Sequence, residues 1–413
     1  MLAADGTPLK RSLARALRQQ KLRAFLLVAP LLFFILIAFV APIADMLFRS
    51  IENPELSENL PRTTLALVGW DVDGGELPGE DVYRALHADL LEAVEAKTHM
   101  TIGRRLSFEA PGYSSLFRKT GRRVKRMDAE APLAEQFADI DKDWADLKTW
   151  TLIQHFSGDY TAGYFLRAVD LTSTGDGIER RPENQRIFGF LFTRTLVMSV
   201  AITLSCLLLA YPVAWLLANL PARHANLLLI LVLLPFWTSL LVRTSAWKVL
   251  LQQQGVINDL LVWVGAVADD GRLALINNQT GTIIAMTHIL LPFMILPLYS
   301  VMKTVPPTYL RAAKSLGATN WTAFWRVYFP QTVPGIGAGA VLVFILAIGY
   351  YITPELVGGT SGVFISNQIA YYMNSSNFNW GFAAALGSIL LGAVLILYWT
   401  YDRIVGIDNV KLG

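Results

Sequence analysis

The sequence has little charge and almost no cysteine. Of its 413 residues, 16% are charged and 54% are hydrophobic, and the mean hydropathy is +0.42. Such a composition is too apolar for a soluble protein of this length, so it predicts an integral membrane protein. The single cysteine, Cys206, lies inside an apolar run. This excludes a disulfide within the chain, and the sequence suggests no thiolate metal site.

Several functional motifs are also missing. No segment reads G-x-x-x-x-G-K-[ST], so the chain has no P-loop for a nucleoside triphosphate. The histidines of the polar segment, at 87, 99 and 155, do not have metal-ligand spacing. The acidic stretch 139–146 lacks the glycine and the final glutamate of a calcium loop. We therefore expect no metal, no cofactor and no enzymatic activity, and any energy for transport must come from another subunit.

Charge is unevenly distributed along the chain. Residues 51–187 contain 24 acidic and 17 basic residues, whereas the remainder contains 8 acidic and 18 basic residues. The pattern predicts an acidic polar insert within a basic membrane protein. Most of the basic residues outside the insert flank apolar runs, where they indicate topology, and we expect no nucleic-acid partner. The basic run 118–126 inside the insert is interpreted either as a solvated face or as a docking surface for an extracytoplasmic partner.

Six apolar runs are long enough to cross a bilayer. They cover residues 24–48, 187–220, 227–251, 281–302, 336–356 and 380–401. Basic residues in the N-terminal tail and after the second, fourth and sixth runs place both termini in the cytoplasm. A cleaved signal peptide is the alternative interpretation of the first run, but the run and the basic region before it are too long for one.

The predicted organisation follows from these runs. It consists of a cytoplasmic tail (1–23), a first transmembrane helix (24–48), an extracytoplasmic insert (49–187), a membrane core with helices 2–6 (188–406), and a second cytoplasmic tail (407–413). Within the insert, the apolar spacing predicts helices over 79–98 and 133–156.

A polar segment between the fourth and fifth runs carries the most specific signal. Its composition predicts two short helices, with Thr308 as the cap of the first and Thr319 or Asn320 as the cap of the second. Gly317 provides a bend between them. Pro330 and Pro334 are expected to end the second helix, whose aromatic face contains Trp321, Phe324, Trp325 and Tyr328.

This segment resembles the cytoplasmic loop of permeases in binding-protein-dependent ABC importers, which reads E-A-A, three residues, G-A and then about nine residues to a proline. The resemblance implies that the loop 304–334, through helices at 308–331, seats in a groove of the ATPase. The coupling positions it implies are Arg311, Ala312, Ala313, Gly317, Ala318, Phe324 and Pro330. The family's glutamate is Arg311 here, which cannot complete a capping box with Thr308. The groove is therefore expected either to offer Arg311 an acidic residue or to leave it solvated.

Four further stretches narrow the resemblance to the spermidine/putrescine permease group. They are 234–247 (LPFWTSLLVRTSAW), 255–261 (GVINDLL), 350–359 (YYITPELVGG) and 379–385 (NWGFAAA). The resemblance covers 188–406 well and implies an all-α membrane protein, the type I ABC importer permease fold with six transmembrane helices. It also implies a bacterial inner membrane location and three kinds of protein partner: two copies of an ATP-binding subunit, a second permease subunit and a periplasmic substrate-binding protein. The insert has no counterpart in that group.

Ionisable residues inside membrane spans are costly and indicate function. A pathway for a flexible polyamine cation needs carboxylates and aromatic faces. The candidate pathway residues are Glu355, Arg243, Trp237, Trp247, Tyr350 and Tyr351. We hypothesise that Arg243 holds Glu355 in the resting state. The alternatives are a structural role for Arg243 and an interfacial belt for the aromatic residues.

Three other functions are compatible with parts of the sequence. The same class of importer could carry an amino-acid-like, opine or aminophosphonate solute. A membrane receptor with a sensing insert would need a cytoplasmic signalling domain, which the sequence lacks. A secondary transporter usually has internal repeats, and none is clear here.

Overall fold

The computed structural model describes residues 9–72, 74–174, 177–374 and 378–405. The predicted tail 407–413 and the first eight residues lie outside them. The chain divides into two compact units, one up to Ala162 and one from Gly163. The predicted insert ends at residue 187. Its last 25 residues, 163–187, therefore belong to the second unit and not to the first.

The first unit begins with one long helical element. It comprises α1 (Leu9–Ile35), a π-helical turn (Leu36–Val40) and α2 (Ala41–Arg49). The part from Leu17 to Arg49 is long and apolar enough to span a membrane. Its apolar side chains, such as those of Leu27 and Phe33, are exposed. The predicted first span is therefore present as a helix, which begins well before residue 24.

The rest of the first unit is a cluster of short helices. They are α3 (Pro54–Asn59), α4 (Pro61–Leu67), α5 (Glu80–Glu95), α6 (His99–Glu109), α7 (Tyr113–Arg123), α8 (Leu133–Ile140) and α9 (Leu147–His155). They enclose an aromatic core in which Trp144 and Trp150 are fully buried. The indole N–H of Trp150 and the hydroxyl of Tyr83 both donate to the carbonyl oxygen of Trp144, each at 3.0 Å. Large rings are thus buried with their polar atoms satisfied.

The expected single helix over 133–156 is wrong. The chain forms α8, a 3₁₀ turn (Lys142–Ala145) and α9 instead. The carboxylate of Asp141 accepts from the N–H of Asp143, and that of Asp146 accepts from the N–H of Lys148. Each aspartate starts a new helical segment, because a side-chain acceptor satisfies the first free N–H groups.

The second unit begins with α10 (Gly163–Ala168) and an antiparallel hairpin of β1 (Leu171–Thr174) and β2 (Gly177–Arg180), in which Leu171 is opposite Arg180. Asp170, just before β1, caps the next helix. Its carboxylate accepts from the N–H groups of Ile187, Phe188 and Gly189 at 3.1, 3.1 and 2.7 Å. These are free donors at a helix start, so Asp170 stabilises the beginning of the second span.

The remaining helices of the second unit build the membrane core. They are α11 (Phe188–Asn219), α12 (Ala222–Leu233), α13 (Leu240–Leu250), α14 (Val256–Trp263), α15 (Gln279–Thr304), α16 (Pro307–Ser315), α17 (Asn320–Ala323), α18 (Phe329–Gly349), α19 (Ile352–Val357), α20 (Gly359–Gly362), α21 (Ile365–Asn374) and α22 (Trp380–Val405). Helices α11, α15 and α18 form the centre of the bundle, where Met286, Leu290 and Val343 are fully buried. Buried small residues such as Ala210 and Ala214 allow close packing.

Across the whole described chain, five helices can cross a membrane, and the number is six if a bent pair counts as one span. The bent pair replaces the predicted single span 227–251. A 3₁₀ turn (Leu234–Trp237) follows α12, and α13 starts at an angle of 95°. Pro235 lies in that turn, and the Ser239 hydroxyl accepts from the N–H of Val242 at 3.2 Å to begin the new helix. Pro235 ends one helix and the cap at Ser239 begins the next, so the apolar run forms two helices instead of one.

The fifth span also differs from its prediction of 336–356. The helix ends at Gly349, and residues 352–357 form the separate helix α19. At its other end it continues back through Pro334 and Pro330 to Asn320, which makes one element of 30 residues. The expectation that these prolines end the preceding helix is therefore wrong.

Candidate functional site

The loop between the fourth and fifth spans forms two helical segments joined at Gly317. Gly317 has φ +88, a left-handed conformation that favours glycine. Thr319 caps the second segment, because its hydroxyl accepts from the N–H of Thr322 at 3.2 Å. The predicted bend and this predicted cap are confirmed.

The predicted cap of the first segment is wrong. Pro306 occupies the cap position and Pro307 the first helical position of α16. Proline is suited to that position, because the first N–H of a helix has no partner inside the helix. Arg311 is then the fifth residue of α16, too far from the start for a capping box. Its guanidinium is exposed and forms no hydrogen bond within the described part of the chain.

The outer surface of this loop is both apolar and basic. Leu316 is 90% exposed and Trp321 is 72% exposed. Arg311, Lys314 and Arg326 are exposed beside them. No acidic residue occurs between 304 and 334. This surface, which we call the coupling surface, suits a groove with an apolar floor and acidic edges.

The inner side of the loop is anchored in the bundle by aromatic rings. The ring centroid of Phe324 lies 6.1 Å from that of Tyr211 on α11 and 5.9 Å from that of Tyr328. The hydroxyls of Tyr211 and Thr332 are 3.2 Å apart. Of the positions implied by the motif, Ala313, Ala318 and Phe324 are half-buried, whereas the other four are exposed. These contacts join the loop to α11 and α18.

A second cluster of polar and aromatic residues lies where α13 crosses α15. The indole N–H of Trp247 donates to Nδ1 of His288 at 3.0 Å. Arg243 lies over the ring of Phe236, with its guanidinium carbon 5.7 Å from the ring centroid. Its Nε and Nη1 atoms are buried without a hydrogen-bond partner in the described residues.

Glu355 belongs to a separate group. Its carboxylate accepts from the side-chain amide of Asn367 at 2.7 Å, and the same amide donates to the carbonyl oxygen of Tyr351 at 2.9 Å. Among the described ion pairs none joins Arg243 to Glu355. The contact between Arg243 and Glu355 that the hypothesis requires is therefore not formed in this conformation.

The structure thus sorts the six predicted pathway residues. Trp247 and Arg243 lie on α13, Tyr351 and Glu355 share Asn367, and the carbonyl oxygen of Tyr350 accepts from the Ser366 hydroxyl. Trp237 is 89% exposed. Sequence reasoning missed His288 and Asn367. Arg243 was selected because it is an ionisable residue inside a membrane span, and the same criterion applies to His288. His288 is the only histidine or charged residue between Gln279 and Lys303. No sequence signal indicates Asn367.

Comparison with known proteins agrees with this architecture. Residues 186–405 match the family model of the binding-protein-dependent transport system inner membrane component. The chain is 38% identical over 212 residues to the spermidine/putrescine transport system permease protein PotB of Salmonella typhimurium, covering 51% of this chain and 73% of that protein. It is 37% identical over 212 residues to PotB of Escherichia coli, covering 51% of this chain and 76% of that protein.

A third relative extends further along the chain. The inner membrane ABC transporter permease protein YdcU of Escherichia coli is 34% identical over 264 residues, covering 61% of this chain and 82% of that protein. The family match covers more than half of the chain, and the relatives are covered over most of their length. The chain therefore belongs to the family of inner membrane components of binding-protein-dependent transport systems.

Proposed function

We propose that this chain is the permease subunit of an ATP-driven importer of polyamines such as putrescine and spermidine. The choice of polyamines as the substrate rests on the similarity to relatives named spermidine/putrescine permeases, which covers 73% and 76% of their length. The chemistry of the second unit supports it, because a carboxylate at Glu355 and several aromatic rings suit a flexible cation.

In this proposal the coupling surface contacts the ATP-binding subunit and transmits the movement of that subunit during ATP hydrolysis to this chain. The chain has no P-loop of its own. The exposed Leu316 and Trp321 enter an apolar groove of an ATP-binding subunit, and Arg311, Lys314 and Arg326 meet acidic residues at its edge. The aromatic contacts of Phe324 and Tyr211 then carry the displacement into α11 and α18.

The assembly contains two copies of the ATP-binding subunit, a second permease subunit and a periplasmic substrate-binding protein, in a bacterial inner membrane. Both termini and the loop 304–334 face the cytoplasm, and the insert faces the other side. Glu355, Arg243, Trp237, Trp247, Tyr350 and Tyr351 line the pathway. The basic tail and the acid-free loop support this orientation.

A second candidate is the same importer for a solute that carries an anionic group. Arg243 favours it, because two of its buried nitrogens have no acceptor in the described residues. Such donors suit a carboxylate or phosphonate.

Two experiments test the proposal. Affinity purification of the tagged chain from membranes should recover an ATPase and a second permease, and labelled putrescine uptake should require this chain. The same partners with unchanged polyamine uptake in the deletion strain would reject the substrate and direct the assay to anionic solutes. Absence of any ATPase would reject the role of the coupling surface.

A further inference from the structure

We propose that His288 is a positioning residue that fixes the Trp247 ring as a wall for organic cations in the transport pathway. The inference rests on the proposed polyamine function and adds to it a residue with a defined chemical task. It concerns the place where α13 crosses α15.

His288 occupies an unusual position within its helix. Helix α15 lies at the centre of the bundle, and the neighbours Thr287 and Ile289 are buried, yet the side chain of His288 is exposed. A titratable imidazole inside a membrane span is costly when it faces lipid. The cost is avoided if this side of α15 faces a hydrated pathway.

The hydrogen bond defines the state of the imidazole. The indole nitrogen of tryptophan can only donate, so Nδ1 of His288 is the acceptor and carries no proton. The ring is therefore the neutral tautomer with its proton on Nε2. The two ring centroids are 5.2 Å apart and the planes make an angle of 61°. Trp247 is thus held at its polar edge, and its side chain is only half-buried.

Neighbouring contacts keep the two helices in place around this pair. The hydroxyls of Thr244 and Thr353 are 3.1 Å apart and buried, and the rings of Phe236 and Phe293 lie 4.9 Å apart. These contacts join the two arms of the bent third span to α19 and α15. The part of α13 that carries Trp247 is therefore held close to α15 and α19.

A tryptophan face attracts ammonium groups more strongly than the other aromatic side chains do. The guanidinium of Arg243 lies over the ring of Phe236, so the Trp247 ring can bind a different cation. A charged imidazole would place a second positive charge next to Arg243 and repel a diammonium substrate. A neutral His288 holds Trp247 without adding that charge.

The test compares three variants in proteoliposomes with the complete importer. In His288→Asn, the amide oxygen lies at the position of Nδ1 and can accept from Trp247. In His288→Gln, the amide reaches the position of Nε2 instead, and His288→Leu has no acceptor. The readout is the number of putrescine molecules transported per ATP hydrolysed. A purely structural role would lower uptake and ATPase activity together and leave this ratio unchanged.

We expect the ratio to stay within about twofold of wild type in His288→Asn and to fall about tenfold in His288→Gln and His288→Leu, because an unheld Trp247 no longer offers its face to the cation. Adding Trp247→Leu to His288→Leu should cause little further loss, since the two residues act as a unit.

An unchanged ratio in His288→Leu, with normal wild-type putrescine transport, would overturn this inference alone. An equal fall in all three variants would also overturn it, because it would show that the imidazole itself, and not its acceptor, is required. A wild-type importer that transports no polyamine would overturn the proposed function and this inference with it.

Discussion

The main-chain N–H of Phe329 donates to the carbonyl oxygen of Phe324, five residues earlier. This bond closes a π-helical turn over Phe324–Tyr328 between α17 and α18. The next residue, Pro330, has no N–H to donate. The wider turn lets the helix pass the proline, so α17 and α18 belong to one helical element of 30 residues. Such turns are frequent at functional sites.

Deleting Val327 should uncouple transport. Without the extra residue the turn returns to α-helical geometry, in which the ring of Pro330 clashes with the carbonyl oxygen four residues earlier and kinks the helix. The coupling surface would then be displaced relative to α18, and uptake should fall at least about tenfold while the chain still inserts in the membrane. Uptake and membrane content are measured together. Val327→Ala, which keeps the chain length, is the control and should transport normally. Full uptake by the deletion variant would show that the π turn has no part in coupling.

Substitution of Gly317 tests the bend of the loop. A Cβ at this position would meet no atom within 4 Å, so only the backbone conformation demands glycine. Proline cannot adopt φ +88 and would remove the bond from the Gly317 N–H to the carbonyl oxygen of Lys314 at 3.0 Å.

Gly317→Pro should therefore abolish uptake without preventing membrane insertion. Gly317→Asn should retain most of the uptake, because asparagine tolerates the left-handed region. Labelled uptake and immunodetection in membranes distinguish the two variants. Normal transport by the proline variant would remove this loop from the coupling mechanism.

Glu355→Gln should weaken transport of a dication more than it weakens assembly. The glutamine oxygen can still accept from Asn367, which now lies 2.7 Å from the carboxylate. The substitution therefore removes the negative charge and keeps the hydrogen bond. We expect a fall of several-fold in putrescine uptake, the order of one lost charge contact. The amount of second permease that copurifies is the control measurement, and unchanged uptake would exclude Glu355 from the pathway.

Local chemistry explains what the sequence allowed us to predict. Apolar runs indicated the spans, and Gly317 and Thr319 indicated the bend and the cap, because these features depend on a few neighbouring residues. Pro235 was one of several prolines that could kink a span, but the size of the break there could not be predicted because the apolar run is continuous on both sides. A proline inside a membrane span is often tolerated, so the residue alone does not distinguish a straight span from a 95° bend.

Side-chain partners were harder to predict because they depend on tertiary packing. Glu355 was assigned to Arg243 by charge alone, whereas the structure pairs it with Asn367, a residue 12 positions along the chain. In the same way, the hydrogen bond between Trp247 and His288 joins residues 41 positions apart. No periodicity or motif connects such pairs. The sequence therefore indicated which ionisable residues lie inside the spans, but it did not indicate which residues they contact.

The stability of the insert should depend on pH through Asp141. The ammonium group of Lys119 lies 2.6 Å from the Asp141 carboxylate and, with a smaller contribution from the N–H of Asp143, holds the pKa of that carboxyl below its ordinary value of 3.8. A lowered pKa in the folded state stabilises the fold at pH values above 3.8, and this contribution is lost as the pH falls through the folded-state pKa.

Asp141→Asn tests this dependence, because its amide oxygen can still accept from the Asp143 N–H while the charge is removed. Hydrogen exchange of residues 113–155 in the whole protein should be faster in the variant than in wild type at neutral pH. The ratio of the two rates should approach one as the pH falls below 3.8. Asp139→Asn is the matched control, since Asp139 is exposed, and it should change exchange at no pH. A rate ratio for Asp141→Asn that is the same at neutral and acidic pH would show that the charge of Asp141 does not stabilise the insert, because only a charge effect disappears when the wild-type carboxyl is protonated.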